Sequence, residues 1–331
     1  MNIYKIAELT GYSIATVSRV INGASNVRSE TRDSILKVIE QTGFTPNLNA
    51  RDLTSQKSQT LGLVLPGINS YFSEAVEVIG RRMAAHKGHF LIATSPSGVY
   101  NAQEEVQSLK LLLSKRVQGV IFFVSEITDL HREVLGKWPE GVSLILVSED
   151  GSTLGFPSVI QNPYTGLVQL FDHLESRGKK SLAFIDGPSQ DRGARDRWEM
   201  RKDILAKRDF ETKPEWETEG NFDLRSGAEA TRELLKKPGF DALICANDFM
   251  ALGAIQVLVA SGYKVPEDVA VTGYDDLELT EYSNPPLTTI NQSPADLGEE
   301  ALNLCLAAWE DPAKPVTSVV LDSKLVVRES T

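Results

Sequence analysis

Ser13-Ile14-Ala15-Thr16-Val17-Ser18-Arg19-Val20-Ile21-Asn22 decides how the amino-terminal segment folds. Val17, Val20 and Ile21 recur at helical spacing, and Ser13 stands where a hydroxyl caps an opening turn, so the stretch reads as a short helix with one apolar face. Upstream, Ile3, Ile6, Ala7 and Thr10 set an earlier helical period that Gly11-Tyr12 interrupts, which predicts two helices joined by a tight glycine turn. A third is predicted to start at Ser29, with Glu30 favourable to the N-terminal dipole, to turn Ile35, Val38 and Ile39 inward, and to end at Gly43.

The outward face of the second helix carries Ile14, Ala15, Ser18, Arg19 and Asn22. Arg19 can donate bidentately to a guanine, Ile14 and Ala15 offer apolar contact to thymine methyls, and Ser13, Thr16 and Asn22 suit phosphates or base edges. Tyr4 and Ser18 complete the expected DNA contacts of this unit; by periodicity alone, three helices of this kind serve equally as a cap without a ligand. Beyond Pro46, Asn47 can cap about two helical turns over Leu48 to Thr54, ahead of the polar run Ser55-Gln56-Lys57-Ser58-Gln59. An isolated helix that short is marginal because nucleation is costly, so it is expected to order only on DNA. Asn49, Ala50 and Arg51 are expected at the duplex there, while Leu53 either wedges between base steps of the minor groove or packs on the domain that follows.

With 331 residues, 41% hydrophobic and 24% charged, the chain has room for two or three compact units. No stretch approaches the roughly 20 apolar residues of a membrane span, and the start has neither a basic n-region nor an apolar h-region. A cytoplasmic protein with no membrane partner is therefore expected, nucleoid-associated when on DNA. The net charge of −11 argues against nucleic acid, but its distribution matters: seven basic and five acidic side chains fall in residues 1–60, leaving the acid excess on the body. Cys245 and Cys305 lie in apolar surroundings without CxxC or Cys/His spacing, so reduced, buried thiols are expected rather than a disulfide or zinc site. His86, His89, His131 and His173 are scattered, and GxSxG, GxxxxGK[ST], HExxH and GxGxxG do not occur in the contexts that would give them chemistry. Adjacent acids such as Glu104-Glu105, Asp275-Asp276 and Glu299-Glu300 point different ways and make no acid/base pair by themselves. No catalytic, metal-binding or cofactor-binding residue is assigned.

From Thr60 onward, buried-type apolar runs alternate with amphipathic helical patterns. Leu61 to Leu65 is followed by a helix near Ser73 to His86 and by Phe90 to Ala93; further runs occupy Gly119 to Val124, Leu144 to Val147, Ser181 to Asp186, Ala242 to Ala246 and Val269 to Gly273. Continuous Val/Ile/Leu strands separated by helices predict parallel sheets covered on both faces, in two α/β lobes. A ligand then sits between the lobes, beyond the carboxyl ends of the strands. Tyr71 and Phe72, an aromatic pair in a polar loop after the first strand, suit stacking on a sugar or base, or else pack the hinge.

Read together, Ile6-Ala7, Thr16 to Asn22, Ala50-Arg51-Asp52-Leu53, Gly187-Pro188, Asn247 to Gly253, Gly273-Tyr274-Asp275-Asp276 and Pro286 to Ile290 resemble the LacI/GalR family of bacterial transcription regulators. The resemblance implies a small all-α helix-turn-helix headpiece plus a two-lobed α/β periplasmic-binding-protein-like effector domain with parallel sheets. It divides the chain into a DNA-binding unit at 1–46, a hinge at 47–59 and an effector-binding and dimerisation domain at 60–331, whose lobes take about 60–160 with 291–322 and about 161–290 with 323–331. In that family the pair matching Ile14 and Ala15 dominates operator choice and the leucine matching Leu53 intercalates; an apolar pair implies a palindrome with a central CG step.

The same resemblance aligns Arg197, Phe222, Asn247 and Asp275 with effector-binding positions, and Ser95 joins them. A fork of donors, a flat wall, an amide and a carboxylate suit vicinal hydroxyls. Each has a plainer role open to it: Asp275 as a cap, Asn247 holding a turn, Phe222 in the core, Arg197 paired with an exposed acid. Arg192 and Arg195 suit either an acidic or phosphorylated ligand or an exposed charge run. Ser148 and Gln161 depart from the family, which often has aspartate there. The expected function is a ligand-controlled repressor: a homodimer on palindromic operator DNA, with a sugar or sugar derivative as effector and cleft closure deciding whether the hinge folds. The alternatives are control by a phosphocarrier protein docking on the helix near Ser73 to His86, and a sugar-binding module without regulatory DNA activity.

Overall fold

Three short helices build the first unit of the computed structural model, which describes every residue except 22, 23, 25, 45–58, 69, 98, 99 and 238. Helix α1 (Ile3–Thr10) opens under Asn2, whose Oδ1 accepts from the Lys5 N–H at 3.0 Å, and closes at Gly11, where φ is 72°. That left-handed turn is open to glycine at little cost and brings the chain back within two residues. Helix α2 (Ile14–Ile21) starts from Ser13, whose Oγ accepts from the Thr16 N–H at 3.2 Å, and α3 (Ser29–Thr42) follows. Ile6, Ala7, Val17, Val20 and Ile35 form the core, walled by Tyr12, Ile21, Val38 and Ile39 among others. Asn22 and the hinge residues 47–58, with Asn49, Ala50, Arg51 and Leu53, lie outside the described residues.

The second unit, Thr60–Thr331, contains two parallel sheets. In the first, β1 (Thr60–Leu65) lies between β2 (His89–Thr94) and β3 (Gly119–Phe123), and β4 (Ser143–Val147), β5 (Ser158–Asn162) and the late strand Val319–Asp322 continue outward from β3. Helix α4 (Ser70–Ala85) and a late helix, Pro294–Glu310, pack on one face through Ala75, Ile79, Met83, Leu297 and Ala301; α5 (Ala102–Ser114) and α6 (Asp129–Leu135) supply Leu109, Leu112 and Leu135 to the other.

The chain then passes through α7 (Tyr164–Ser176) to β6 (Ser181–Asp186), α8 (Arg192–Leu205), β7 (Glu211–Glu219), α9 (Leu224–Leu234), β8 (Ala242–Cys245), α10 (Asp248–Ala260) and β9 (Ala270–Thr272). Its second sheet has the order β7-β6-β8-β9, with α7 and α8 on one face and α9 and α10 on the other. Strand β10 (Thr289–Asn291) leads back through α11 (Pro294–Glu310) to β11 (Val319–Asp322) in the first sheet, and β12 (Lys324–Val326) pairs antiparallel with β10. The chain thus crosses between lobes after β5, β10 and β11. Both cysteines are buried and free, and among the described residues no helix is long and apolar enough to cross a membrane.

The apolar run at Phe90 to Ala93 corrects the expectation of strands covered on both faces. β2 pairs only with β1, and Leu91 and Ile92 stay 39% and 37% exposed. An edge strand has one neighbour, and the helices flanking this sheet cover its middle more fully than its rim. His131, unassigned in the sequence, is fully buried: its Nδ1 accepts from the Thr128 N–H at 3.2 Å and its Nε2 lies 3.0 Å from Glu105 Oε2, tying α6 to α5.

Helices α9 and α10 pack at backbone distance. A Cβ on Gly253 would run into the Leu224 carbonyl oxygen, and one on Gly227 into the Met250 backbone. Forcing the helices apart disrupts a dense core, so Gly253→Ala should lower the unfolding free energy of this unit by about 1–3 kcal/mol. A urea midpoint unchanged by the substitution would show that the close approach is dispensable.

Candidate DNA-facing helix and ligand cleft

On α2, Val17 and Val20 are buried, which turns Ile14, Ala15 and Arg19 to solvent; Ile14 is 43% exposed. Thr16 and Ser18 are partly covered, and the Thr16 hydroxyl lies 2.9 Å from Ser13 Oγ. Tyr4, 66% exposed, presents from α1. The α2 surface therefore holds one cation, no acid and two small apolar side chains, a composition suited to base edges.

The cleft is organised from behind by Asp248, the first residue of α10. It is fully buried; its Oδ1 accepts from Thr289 Oγ1 at 2.6 Å and its Oδ2 from the Leu277 N–H at 2.8 Å. These bonds fix the Gly273–Leu277 loop, where a Cβ on Gly273 would strike the Asp248 carboxylate. Asp275 and Asp276 both have positive φ, 117° and 61°, a strained backbone for non-glycine residues. The two carboxylates serve different ends. Asp276 accepts from Arg328 at 2.7 Å and from Asn291 Nδ2 at 2.8 Å. Asp275 uses its N–H on the Ile290 carbonyl at 2.9 Å, and its carboxylate accepts no hydrogen bond among the described residues.

Arg197 and Tyr71 belong to the same group. The Arg197 guanidinium lies 4.6 Å over the Tyr274 ring, and its buried Nε has no partner among the described residues. Tyr274 donates its hydroxyl proton to Gln292 Oε1 at 2.9 Å, and Gln292 Nε2 donates to the Tyr71 hydroxyl at 2.8 Å. Tyr71 meets Phe72 edge-on at 5.0 Å, and Phe72 meets Phe123 at 5.7 Å. Burial raises the Asp275 carboxyl well above the usual range, Asp248 adds to that, and Arg197 opposes it. Burial likewise raises the Tyr71 phenol, with the Asp275 charge second.

The other expected residues have structural work. Asn247 caps α10, its Oδ1 accepting from the Met250 N–H at 3.0 Å, while its Nδ2 donates to the Phe222 carbonyl at 3.0 Å. Phe222, at φ 59°, is partly buried against the second-sheet core, its ring where a Cβ on Gly187 would sit. Ser95 is buried at the end of β2, its hydroxyl without a partner among the described residues. Ser148 (φ 74°) is exposed, and Gln161 lies within β5 opposite Leu321. Gln292 and Tyr274 were missed as cleft residues; Gln292 stands one residue past β10, the same strand-end signal that marked the others.

Arg192 and Arg195 are partly exposed, as a surface charge run would be, but each is matched by an acid of the first lobe. Arg192 pairs with Glu149, which follows β4, and Arg195 lies 3.7 Å from Glu126, which follows β3. Both arginines open α8 in the other lobe, so the two pairs clasp the mouth of the cleft. Pairs this exposed contribute about 0–1 kcal/mol each, enough to bias closure and too little to lock it.

Two outcomes follow from these contacts. Arg192→Glu should enlarge the radius of gyration in solution scattering, and adding Glu149→Arg should restore it; an equal enlargement in the double variant would rule out the clasp. Asp248 is pushed up to about 7 by burial, with Asp276 adding, against the opposing Thr289 and Leu277 bonds. A raised folded-state carboxyl stabilises fully below its unfolded value of about 3.9 and loses that contribution as pH rises through its folded one. Melting temperature should therefore fall more from about pH 4 to 8 in the parent protein than in Asp248→Asn. Parallel profiles would exclude Asp248 as the source.

Residues 2–47 match the family described as bacterial regulatory proteins, lacI family, and residues 171–331 match a periplasmic binding protein-like domain. Catabolite control protein A of Priestia megaterium is 31% identical over 336 residues, covering 100% of this chain and 99% of that protein. The HTH-type transcriptional repressor PurR of Mannheimia succiniciproducens is 30% identical, covering 99% and 98%. A crystal structure of the lac repressor dimer bound to operator and the anti-inducer ONPF matches with a TM-score of 0.86 at 27% identity, over 100% of this chain and 99% of that one. With a helix-turn-helix unit ahead of two parallel-sheet lobes, and relatives of this identity along nearly its whole length, the chain belongs to the LacI family of DNA-binding bacterial regulatory proteins.

Proposed function

We propose that this regulator is a homodimeric repressor of a palindromic operator, and that a small neutral polyhydroxylated ligand, a sugar or sugar derivative, bound between its lobes sets its operator affinity. The observation that carries the ligand reading is the Asp275 carboxylate, which accepts no hydrogen bond among the described residues, grouped with Arg197, whose guanidinium lies over the Tyr274 ring and whose buried Nε likewise has no partner among them. A carboxylate accepts from vicinal hydroxyls, a guanidinium donates to ring and hydroxyl oxygens, and aromatic faces cover the apolar C–H surface of a sugar. Arg192 and Arg195 are matched by Glu149 and Glu126, so these two cations at the mouth do not call for a phosphate.

Dimerisation is supported by the dimeric state of the lac repressor on its operator and by apolar side chains left exposed on one chain: Leu91, Ile92, Leu224, Val259 and Tyr282. In this reading Ile14, Ala15 and Arg19 read the major groove of each half-site, and Arg51 and Leu53 act in the minor groove. The ligand acts through its preference for one lobe arrangement, since equal affinity for both would shift nothing.

The test pairs two variants. Arg19→Ala should weaken specific operator binding by about 1–3 kcal/mol in a salt-controlled anisotropy titration and spare non-specific DNA more; equal losses on both would remove Arg19 from base reading. Asp275→Ala should abolish the thermal stabilisation given by the active member of a sugar panel while leaving operator binding intact. A panel in which no sugar stabilises the parent protein overturns the ligand class.

A further inference from the structure

Gln292 connects the lobes behind the cleft. It lies where the chain leaves β10 for α11, and its amide makes one hydrogen bond to each side: Oε1 accepts from Tyr274 of the second lobe at 2.9 Å, and Nε2 donates to Tyr71 of the first at 2.8 Å. Few side chains can do both, because the task needs an acceptor and a donor on one short planar group. The direction of each bond fixes what its phenol has left. Tyr274 has given up its proton, so its oxygen retains only lone pairs. Tyr71 accepts from the amide and keeps its own proton for donation.

We propose that Gln292 is the positioning residue of the cleft: its amide holds the Tyr71 and Tyr274 walls together in the closed form and polarises them in opposite senses, one toward donating and one toward accepting. This deepens the reading of the cleft as a ligand site and rests on it for its purpose, though not for its test. Three features support the assignment. The two phenols belong to different lobes, so one of the two bonds must break when the lobes separate. Tyr274 carries Arg197 on its ring face, so its orientation governs where the guanidinium points. Tyr71 lies near enough to Asp275 to feel its charge, so the direction in which the phenol holds its one proton alters the field at that carboxylate. The consequence is a cleft that offers one hydroxyl donor from the first lobe and one hydroxyl acceptor beside Arg197 from the second. Effectors are then sorted by the hydrogen-bond sense of the groups presented to each wall.

The experiment is run on the full chain without ligand, reading the open-to-closed ratio by solution X-ray scattering or by fluorescence transfer between labels on the two lobes. Gln292→Leu should lower the closed population about three- to tenfold per lost hydrogen bond. In double-mutant cycles Gln292→Leu should couple both to Tyr71→Phe and to Tyr274→Phe, a dependence on the two hydroxyls that a residue serving only to fill space cannot produce. If Gln292→Leu leaves the ratio unchanged, or if it fails to couple to either hydroxyl, the proposal falls. Thermal denaturation of each variant identifies any that fails to fold, and a cycle using Tyr71→Phe and Tyr274→Phe in the parent background remains decisive then: no coupling between the two phenols overturns the bridge. A negative sugar panel would overturn the ligand class without touching this result, and a failed cycle would overturn the bridge without touching the ligand class.

Discussion

A buried carboxylate with two donors sets the terms for the rest of the sensor. Asp248 has no exposure to solvent, so its charge or its proton must be accommodated by neighbours, and Thr289 and the Leu277 amide do this at 2.6 and 2.8 Å. Those two partners lie on different segments, the crossing strand β10 and the loop after β9. Holding both from α10 fixes the spacing between them, and with it the left-handed conformations that send Asp275 toward the cleft and Asp276 toward Arg328. The strain of two positive-φ aspartates is tolerated because the loop is restrained at both ends.

Closure is a sum of small contributions. At the mouth are two ion pairs between residues of α8 and of the first lobe; at the back is an amide shared by two phenols. The exposed ion pairs contribute about 0–1 kcal/mol each and the more buried amide bonds about 0.5–1.5 kcal/mol each, which is the regime in which a ligand of ordinary affinity can move the balance. A sensor locked by one deeply buried pair would answer to nothing.

The headpiece was legible in outline because its information is local: period, cap and glycine stop all fall within a few residues, and Ser13, Gly11 and Gly43 occupy the predicted positions. The strand order of the two sheets was foreseeable only through resemblance, since the return of β11 to pair with β5 joins residues about 160 apart in sequence. Within the cleft, Tyr71 was legible as an aromatic residue after a strand and Asp275 as a strand-end carboxylate that the resemblance also matched, whereas Arg197, inside α8, was legible through the resemblance alone; the three do come together. Asn247 was legible as a polar strand-end residue as well, yet its amide is engaged in a cap and in holding Phe222, a distinction that depends on backbone geometry. Gln292, one residue past β10, carried a strand-end signal but nothing local that marked its two phenol partners, and Glu149 and Glu126 were not legible, because their partners are remote and a lone glutamate carries no local pattern. Leu91 and Ile92 read as buried because composition does not reveal which strand ends a sheet.

The loop after β9 is secured by the buried Asp248, so the Asp275 side chain, proposed above as a ligand contact, is hung on a support it does not help to hold. On that proposal, substitution at Asp275 alters recognition while the scaffold persists, whereas change at Asp248 disturbs every candidate ligand alike. Over evolutionary time such a division lets one architecture acquire new chemical signals through a handful of exchanges, with its folding left largely untouched.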